Sequence, residues 1–160
     1  MSRLPTSIAA FLEGRRFAVA GVSRHRGQAA NAVFAKLRRA GYGVFPVNPN
    51  AAEVDGVRCY PTLESVPGGI DRVVVATSPR VSAEVVRQCI ECGVGQVWFH
   101  RSFGQGSVSE EAVRACREHG LACIVGGCPL MYCEPVDVGH RCMRWWLQRR
   151  GRIGSEDVRM

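Results

Sequence analysis

FAVAGVSRHRGQAANAVF, residues 17–34, decides the fold. An apolar strand runs into a glycine-serine loop, and the loop runs into a helix. This is how a nucleotide-binding unit begins. Gly21 lets the chain turn tightly against a ligand. The start of the following helix offers backbone N–H groups and a positive dipole end, which suits a phosphate. Val22 and Ser23 sit in the loop, where Ser23 adds a hydroxyl donor, and Arg24 and Arg26 add charge.

Working outward, the pattern repeats. Residues 6–14 read as a short helix before the first strand. The helix after the loop runs from about Gln28 to Ala40, with Ala30, Val33, Phe34 and Leu37 on one face. GVFPVNPN (43–50) is a second strand ending in a turn, PTLESVP (61–67) a short helical turn, and DRVVVATSP (71–79) a third strand. Residues 81–92 form a helix with Val81, Val85 and Cys89 on one face. GQVWFH (95–100) is a fourth strand. Residues 107–120 form a helix opened by a capping box of Ser107 and Glu110. LACIVGG (121–127) is the fifth strand. Apolar strands alternating with amphipathic helices predict an α/β, Rossmann-like, doubly wound and mostly parallel sheet with helices on both faces. We expect a domain over 1–135 and a C-terminal helix and tail over 136–160.

Ligands of such sheets bind at the carboxyl ends of the strands, where the strand order reverses. Four loops stand there: GVSRHRG (21–27), VNPN (47–50), ATSP (76–79) and FHRSFG (99–104). A standard NAD site does not fit them. The middle glycine of G-x-G-x-x-G is missing, and Asn48 replaces the acid that normally ends the second strand and holds a ribose hydroxyl. A ligand with an extra ribose phosphate fits better, and both NADP and coenzyme A qualify.

FAVAGVSR, GYGVFPVNPN, GVRCYPTLESVP, DRVVVATSP, VWFHRSFG and GLACIVGGCPLM follow one another through residues 11–133. In this order they resemble the CoA-binding-domain proteins, small stand-alone relatives of the N-terminal domain of the succinyl-CoA synthetase α subunit. The PVNP and CPLM blocks carry most of the specificity. The resemblance implies binding of coenzyme A or an acyl-CoA. It implies that Gly21, Val22 and Ser23 form the first phosphate loop, with Arg24 and Arg26 near the phosphates. It implies that Asn48 and Pro49 lie beside the nucleotide, and that the ligand crosses Thr77, Ser78 and Pro79. His100 and Arg101 stand where relatives commonly carry a glutamine and a small residue, and His100 is expected to line the ligand. The synthetase's phosphorylated histidine belongs to a second domain for which 160 residues leave no room. The expectation is therefore a binding module without a complete catalytic apparatus. An NADP-binding enzyme or redox sensor, and a subunit docking on a separate ligase domain, are the alternatives.

Composition fits a globular chain, with 46% hydrophobic and 22% charged residues. No apolar run spans a bilayer and no secretory pattern opens the chain, so a cytoplasmic protein without membrane contact is expected. The net charge is +7, and Lys36 is the only lysine. Base composition explains the arginine excess as a whole; a phosphorylated ligand explains Arg24 and Arg26. The arginines are scattered without aromatic interleaving, which argues against nucleic acid. A homo-oligomer or a ligase partner stays open.

Eight cysteines in such a chain are expected to be reduced. Cys89-x-x-Cys92 closes a helix, where the dipole disfavours a reactive thiolate, so it reads as structural. Cys128, Cys133, His140 and Cys142 have the types and number for tetrahedral zinc, but their spacing matches no common pattern, and no metal is assigned. His100 alone among the histidines ends a strand, yet no acid or nucleophile stands beside it in sequence, so no catalytic residue is assigned. VDVGHRCMRWWLQRR (136–150) reads as a basic helix with Cys142, Trp145 and Trp146 on one side, used for packing.

Overall fold

A computed structural model describes residues 4–25, 27–101 and 105–151. Along the chain come α1 (Thr6–Leu12), β1 (Arg16–Ala20), α2 (Ala29–Arg39), β2 (Gly43–Val47), β3 (Glu53–Val54), β4 (Val57–Arg58), β5 (Arg72–Val75), α3 (Pro79–Glu91), β6 (Gln96–Phe99), α4 (Glu110–Glu118), β7 (Ala122–Val125), a 3-10 turn (Pro129–Met131) and α5 (Val138–Arg149). β2, β1, β5, β6 and β7 form one sheet in that order, and every pairing within it is parallel. The α/β Rossmann-like fold expected from the sequence is present.

The side-chain alternation of the strands divides the core in two. Phe17, Val19, Val74, Trp98 and Ile124 face one side, where α1, α2 and α5 cover them with Phe11, Phe34, Leu37 and Leu147. Ala18, Ala20, Val73, Val75, Val97 and Phe99 face the other, beneath α3 and α4. Phe11 is fully buried and meets Phe17 and Trp98 edge to face at 5.4 and 5.3 Å. The Trp98 indole donates to the Gly126 carbonyl at 2.8 Å, so the largest core side chain leaves no buried donor unpaired.

β2 carries Pro46, which lacks an N–H, and it is tolerated because β2 is an edge strand. The Pro46 carbonyl accepts from Tyr60 N at 2.9 Å, and Asn48 N donates to the Tyr60 carbonyl at 2.9 Å. The chain around Tyr60 thus borders the outer rim of the sheet.

Several local expectations are corrected. Residues 61–67 form irregular turns rather than a helical one, because the Thr62 and Ser65 side chains bond the backbone of this segment. β3 and β4 make a small antiparallel hairpin absent from the sequence reading. Its turn is Asp55-Gly56, both with positive φ, the type I′ signature. Ser109 rather than Ser107 caps α4, accepting from Ala112 N at 3.3 Å. Ser107 is buried, and its backbone is engaged by His100 and Ser82. On α5, Cys142 and Trp145 are exposed, while Met143, Trp146 and Leu147 pack against the core. On α3, Val85 and Cys89 are buried, but Val81 is exposed.

Two contacts fix how β1 and β5 meet. At their starts, Asp71 accepts the N–H groups of Arg15 and Arg16 at 3.1 and 3.0 Å. These bonds, led by the one from Arg15, lower its carboxyl below the ordinary aspartate value. At their ends, the loops after β1 and β5 touch. A Cβ on Gly21 would lie 2.5 Å from the Ala76 carbonyl oxygen, and Gly21 has φ +102°. Gly27 has a similar φ of +92° with nothing within 4 Å of such a Cβ.

Two predictions follow from these contacts. Gly21→Ala and Gly27→Ala each incur the left-handed backbone cost of roughly 1–2 kcal/mol. Only Gly21→Ala adds a backbone clash, so its urea midpoint is expected to fall clearly further than that of Gly27→Ala. For Asp71 the folded value is lowered, so its stabilising contribution is complete above the unfolded value of about 4 and is lost as pH falls through the folded one. Wild type is expected to exceed Asp71→Asn in stability at pH 6, with the gap closing towards pH 2 in pH-dependent urea titrations.

Candidate functional site

The strand order reverses between β1 and β5. Chain connections from β1 lead to one face through α2, and those from β5 lead to the other through α3. A crevice opens at such a point beyond the strand ends. Here it is a cavity of about 630 Å³. The first loop lines it with Gly21, Ser23 and Gln28; the second with Asn48, Pro49 and Asn50; the third with Ala76, Thr77 and Ser78. Pro61 and Thr62 close one side, and Val81, Glu84, Val85 and Gln88 of α3 form a wall. This explains the exposure of Val81: it faces the cavity.

The first loop is held by two asparagines. Asn31, buried in α2, accepts from Ser23 N at 3.0 Å and donates to the Ser23 carbonyl at 2.7 Å. Asn48 donates to the Val22 carbonyl at 2.8 Å and accepts from Asn50 N at 2.8 Å. Val22 itself is fully buried and pins the loop from below. The Ser23 hydroxyl accepts from His25 N at 3.1 Å, which leaves its own proton to donate.

Two helices begin at the cavity. The cap residues of α2 and α3 are Gln28 and Ser78, and neither side chain caps its helix. Neither first turn carries an acid. Both positive dipole ends are therefore left for an outside acceptor. Thr77 is positioned from behind: its hydroxyl lies 3.1 Å from that of the buried Ser82, which donates to the Ser107 carbonyl at 2.7 Å.

Among the described residues lining the cavity, Glu84 is the charged one. Hydrogen bonds from Arg87, and then from Gln88, hold its carboxyl down to about 2. Gln88 donates to Glu84 at 3.0 Å and accepts from Leu63 N at 3.1 Å, tying α3 to the 61–67 turns. The carboxylate is ionised but countered by the Arg87 guanidinium.

Of the residues expected to bind, Gly21, Ser23, Asn48, Pro49, Thr77 and Ser78 come together here. Val22 lies in the core. Pro79 opens α3 without lining the cavity. Arg24 is exposed on the loop, and Arg26 lies outside the described residues. His100 immediately follows β6, half-buried, outside this lining; burial lowers its imidazole pKa. Part of the fourth loop, 102–104, also lies outside the described residues. Sequence reasoning missed the α3 wall, although Val81, Glu84, Val85 and Gln88 follow helical spacing. It also missed Asn31, whose signal was a lone amide beside the apolar stripe of α2. Among the described residues no three His, Cys, Asp or Glu side chains gather into a metal-binding group, and no helix is long and apolar enough to cross a membrane.

Residues 15–134 match the family model described as a CoA binding domain. Over 114 residues the chain is 31% identical to the uncharacterized protein YneT of Bacillus subtilis, covering 71% of this chain and 82% of that one. Over 112 residues it is 29% identical to the ADP-forming acetate–CoA ligase II of Archaeoglobus fulgidus, covering 65% of this chain but only 17% of the ligase. A solved hypothetical protein from Pyrococcus horikoshii OT3 superposes with a TM-score of 0.71 at 30% identity, covering 81% of this chain and 93% of that one. The matched segment runs from the start of β1 past the 3-10 turn, and so contains the whole sheet and its crevice: the chain belongs to the CoA-binding-domain family.

Proposed function

We propose that this chain binds coenzyme A, free or acylated, in the cavity beyond the ends of β1 and β5. The supporting observation is the first loop. It is fastened by Asn31 and Asn48 and presents an uncapped α2 terminus and the Ser23 hydroxyl to the cavity. Such a loop receives a phosphate group without reorganising. Family membership supports coenzyme A among phosphate-bearing nucleotides. Arg24 and Arg26 supply the remaining positive charge, and Thr77 and Ser78 guide the ligand across the strand ends. His100 follows β6 at the same end of the sheet.

The role is recognition rather than chemistry. Among the described residues the cavity lining offers no pairing of acid, base and nucleophile, since Glu84 is engaged by Arg87 and Gln88. A second reading draws on the ligase relative, of which this chain matches a minor part. In that reading the chain serves as the CoA-binding subunit of a ligase whose remaining domains lie on a partner.

Thermal unfolding with coenzyme A, dephospho-coenzyme A, NADPH and NADH tests the proposal. At about 100 times its dissociation constant, coenzyme A should stabilise the fold by about 2.7 kcal/mol, a rise of roughly 5–10 °C for a chain of this size. Dephospho-coenzyme A should shift the transition less. A shift with NADPH alone would overturn the reading in favour of a redox cofactor. In Asn31→Ala the Ser23 backbone loses both partners, at about 1–3 kcal/mol for the buried groups. Isothermal titration should then show weaker coenzyme A binding than in wild type.

A further inference from the structure

α5 carries apolar side chains on two sides. Met143, Trp146 and Leu147 pack against the core. Val138, Cys142 and Trp145, spaced i, i+4 and i+7, form a second apolar ridge that is exposed. Val138 is 73% exposed and Trp145 58%. A surface helix ordinarily keeps its outward face polar. The ridge lies beyond residue 134, where the match to the CoA binding domain ends, so it stands outside the matched unit.

The charge around the ridge has one sign. Arg141 lies beside it, and Arg149 continues it four residues after Trp145; both are exposed. The Arg149 guanidinium lies 4.7 Å from the Trp145 ring centroid. Lys36, Arg38 and Arg39 end α2, which covers the same side of the sheet. Lys36 donates to the Pro135 carbonyl, just ahead of α5. Neither α2 nor α5 contains an acid. Asp137, which caps α5, is occupied by His140. Among the described residues no carboxylate pairs with Arg38, Arg39, Arg141 or Arg149. The other side of the sheet differs. On α3 and α4 arginines and glutamates are interleaved, and Arg87 and Arg114 pair with Glu84, Glu91 and Glu118.

We propose that the exposed face of α5, with the end of α2 beside it, docks on an anionic lipid surface. Val138 and Trp145 enter the headgroup boundary, and the arginines meet the anionic headgroups. Other occupants fit less well. A second copy meeting this face through a two-fold axis would set arginine against arginine. Its α3–α4 side offers acids that are already paired. A protein interface depletes charge at its core, whereas Arg149 stands in line with the ridge. Nucleic acid would meet the arginines and leave Val138 and Cys142 without apolar cover. A bilayer boundary takes both kinds of group: indole and aliphatic side chains enter it, and basic ones stay with the headgroups. Contact of this kind needs no spanning helix.

Vesicles test this on the full chain. Sedimentation with vesicles containing roughly a third phosphatidylserine should carry the protein down, and neutral phosphatidylcholine vesicles should not. Going from about 0.1 M to about 1 M salt, where the Debye length falls from about 10 Å to about 3 Å, should release it. Lipids brominated on the acyl chain should quench the tryptophan fluorescence of wild type, and less that of Trp145→Phe, since Trp98 is fully buried. Arg141→Gln and Arg149→Gln should each weaken partitioning by about fivefold. All three side chains are exposed, so the variants should melt as wild type does. Failure to bind the anionic vesicles at low salt would overturn the proposal, as would equal binding to neutral ones. Retention by polyglutamate or by duplex DNA without vesicle binding would overturn it in favour of an acidic protein or a nucleic acid. The response to coenzyme A is a separate readout that bears only on the nucleotide cavity.

Discussion

The contact between Gly21 and the Ala76 carbonyl sets the geometry of the molecule. β1 and β5 are hydrogen-bonded neighbours up to their last residues, and the ladder runs on through Ala76 N to the Ala20 carbonyl. Immediately beyond, the two chains part to opposite faces. A side chain at position 21 would strike the backbone across the gap. Its absence lets the loops leave the sheet in contact, so that the crevice opens above them rather than between the strands. The cavity is thus a product of sheet topology, and the residues lining it are those that happen to begin α2, end β2 and begin α3.

Within that crevice, backbone does more than side chains. The amides of Asn31 and Asn48 are occupied in holding the first loop. Glu84 is matched by Arg87. Among the described residues, the polar groups that line the cavity include two uncapped helix ends and the hydroxyls of Ser23, Thr77 and Ser78. Such an arrangement supports the proposed binding of a ligand that carries negative charge along its length. This agrees with a family in which the same unit appears both as a small protein and as a fraction of a ligase.

Much of this was legible before any coordinates. The five principal strands announced themselves because each is a continuous apolar run, which only a sheet covered on both faces requires. The positions of Gly21, Asn48 and Thr77 followed from the rule that strand ends carry the ligand. What sequence concealed was partnership across distance. Asn31 reads as an ordinary helix residue until Ser23 is placed 3.0 Å away. Local competition misled as well: Ser107 resembled a cap, but Ser82 occupies its carbonyl, and the cap passed to Ser109. The Asp55-Gly56 turn was readable from its dipeptide and was overlooked because the strands beside it are only two residues long.

The placement of Pro46 and Tyr60 has a consequence for how copies of this protein meet. An open sheet has two rims, and each is a template on which another chain can extend the sheet. On the β2 side that template is blunted, since Pro46 offers no donor and the Tyr60 backbone occupies the neighbouring groups. The β7 rim is only four residues long. Growth of the sheet from one molecule into the next is thereby discouraged at both ends. Any assembly of this fold is left to its helical faces, where side-chain fit rather than backbone pairing chooses the neighbour.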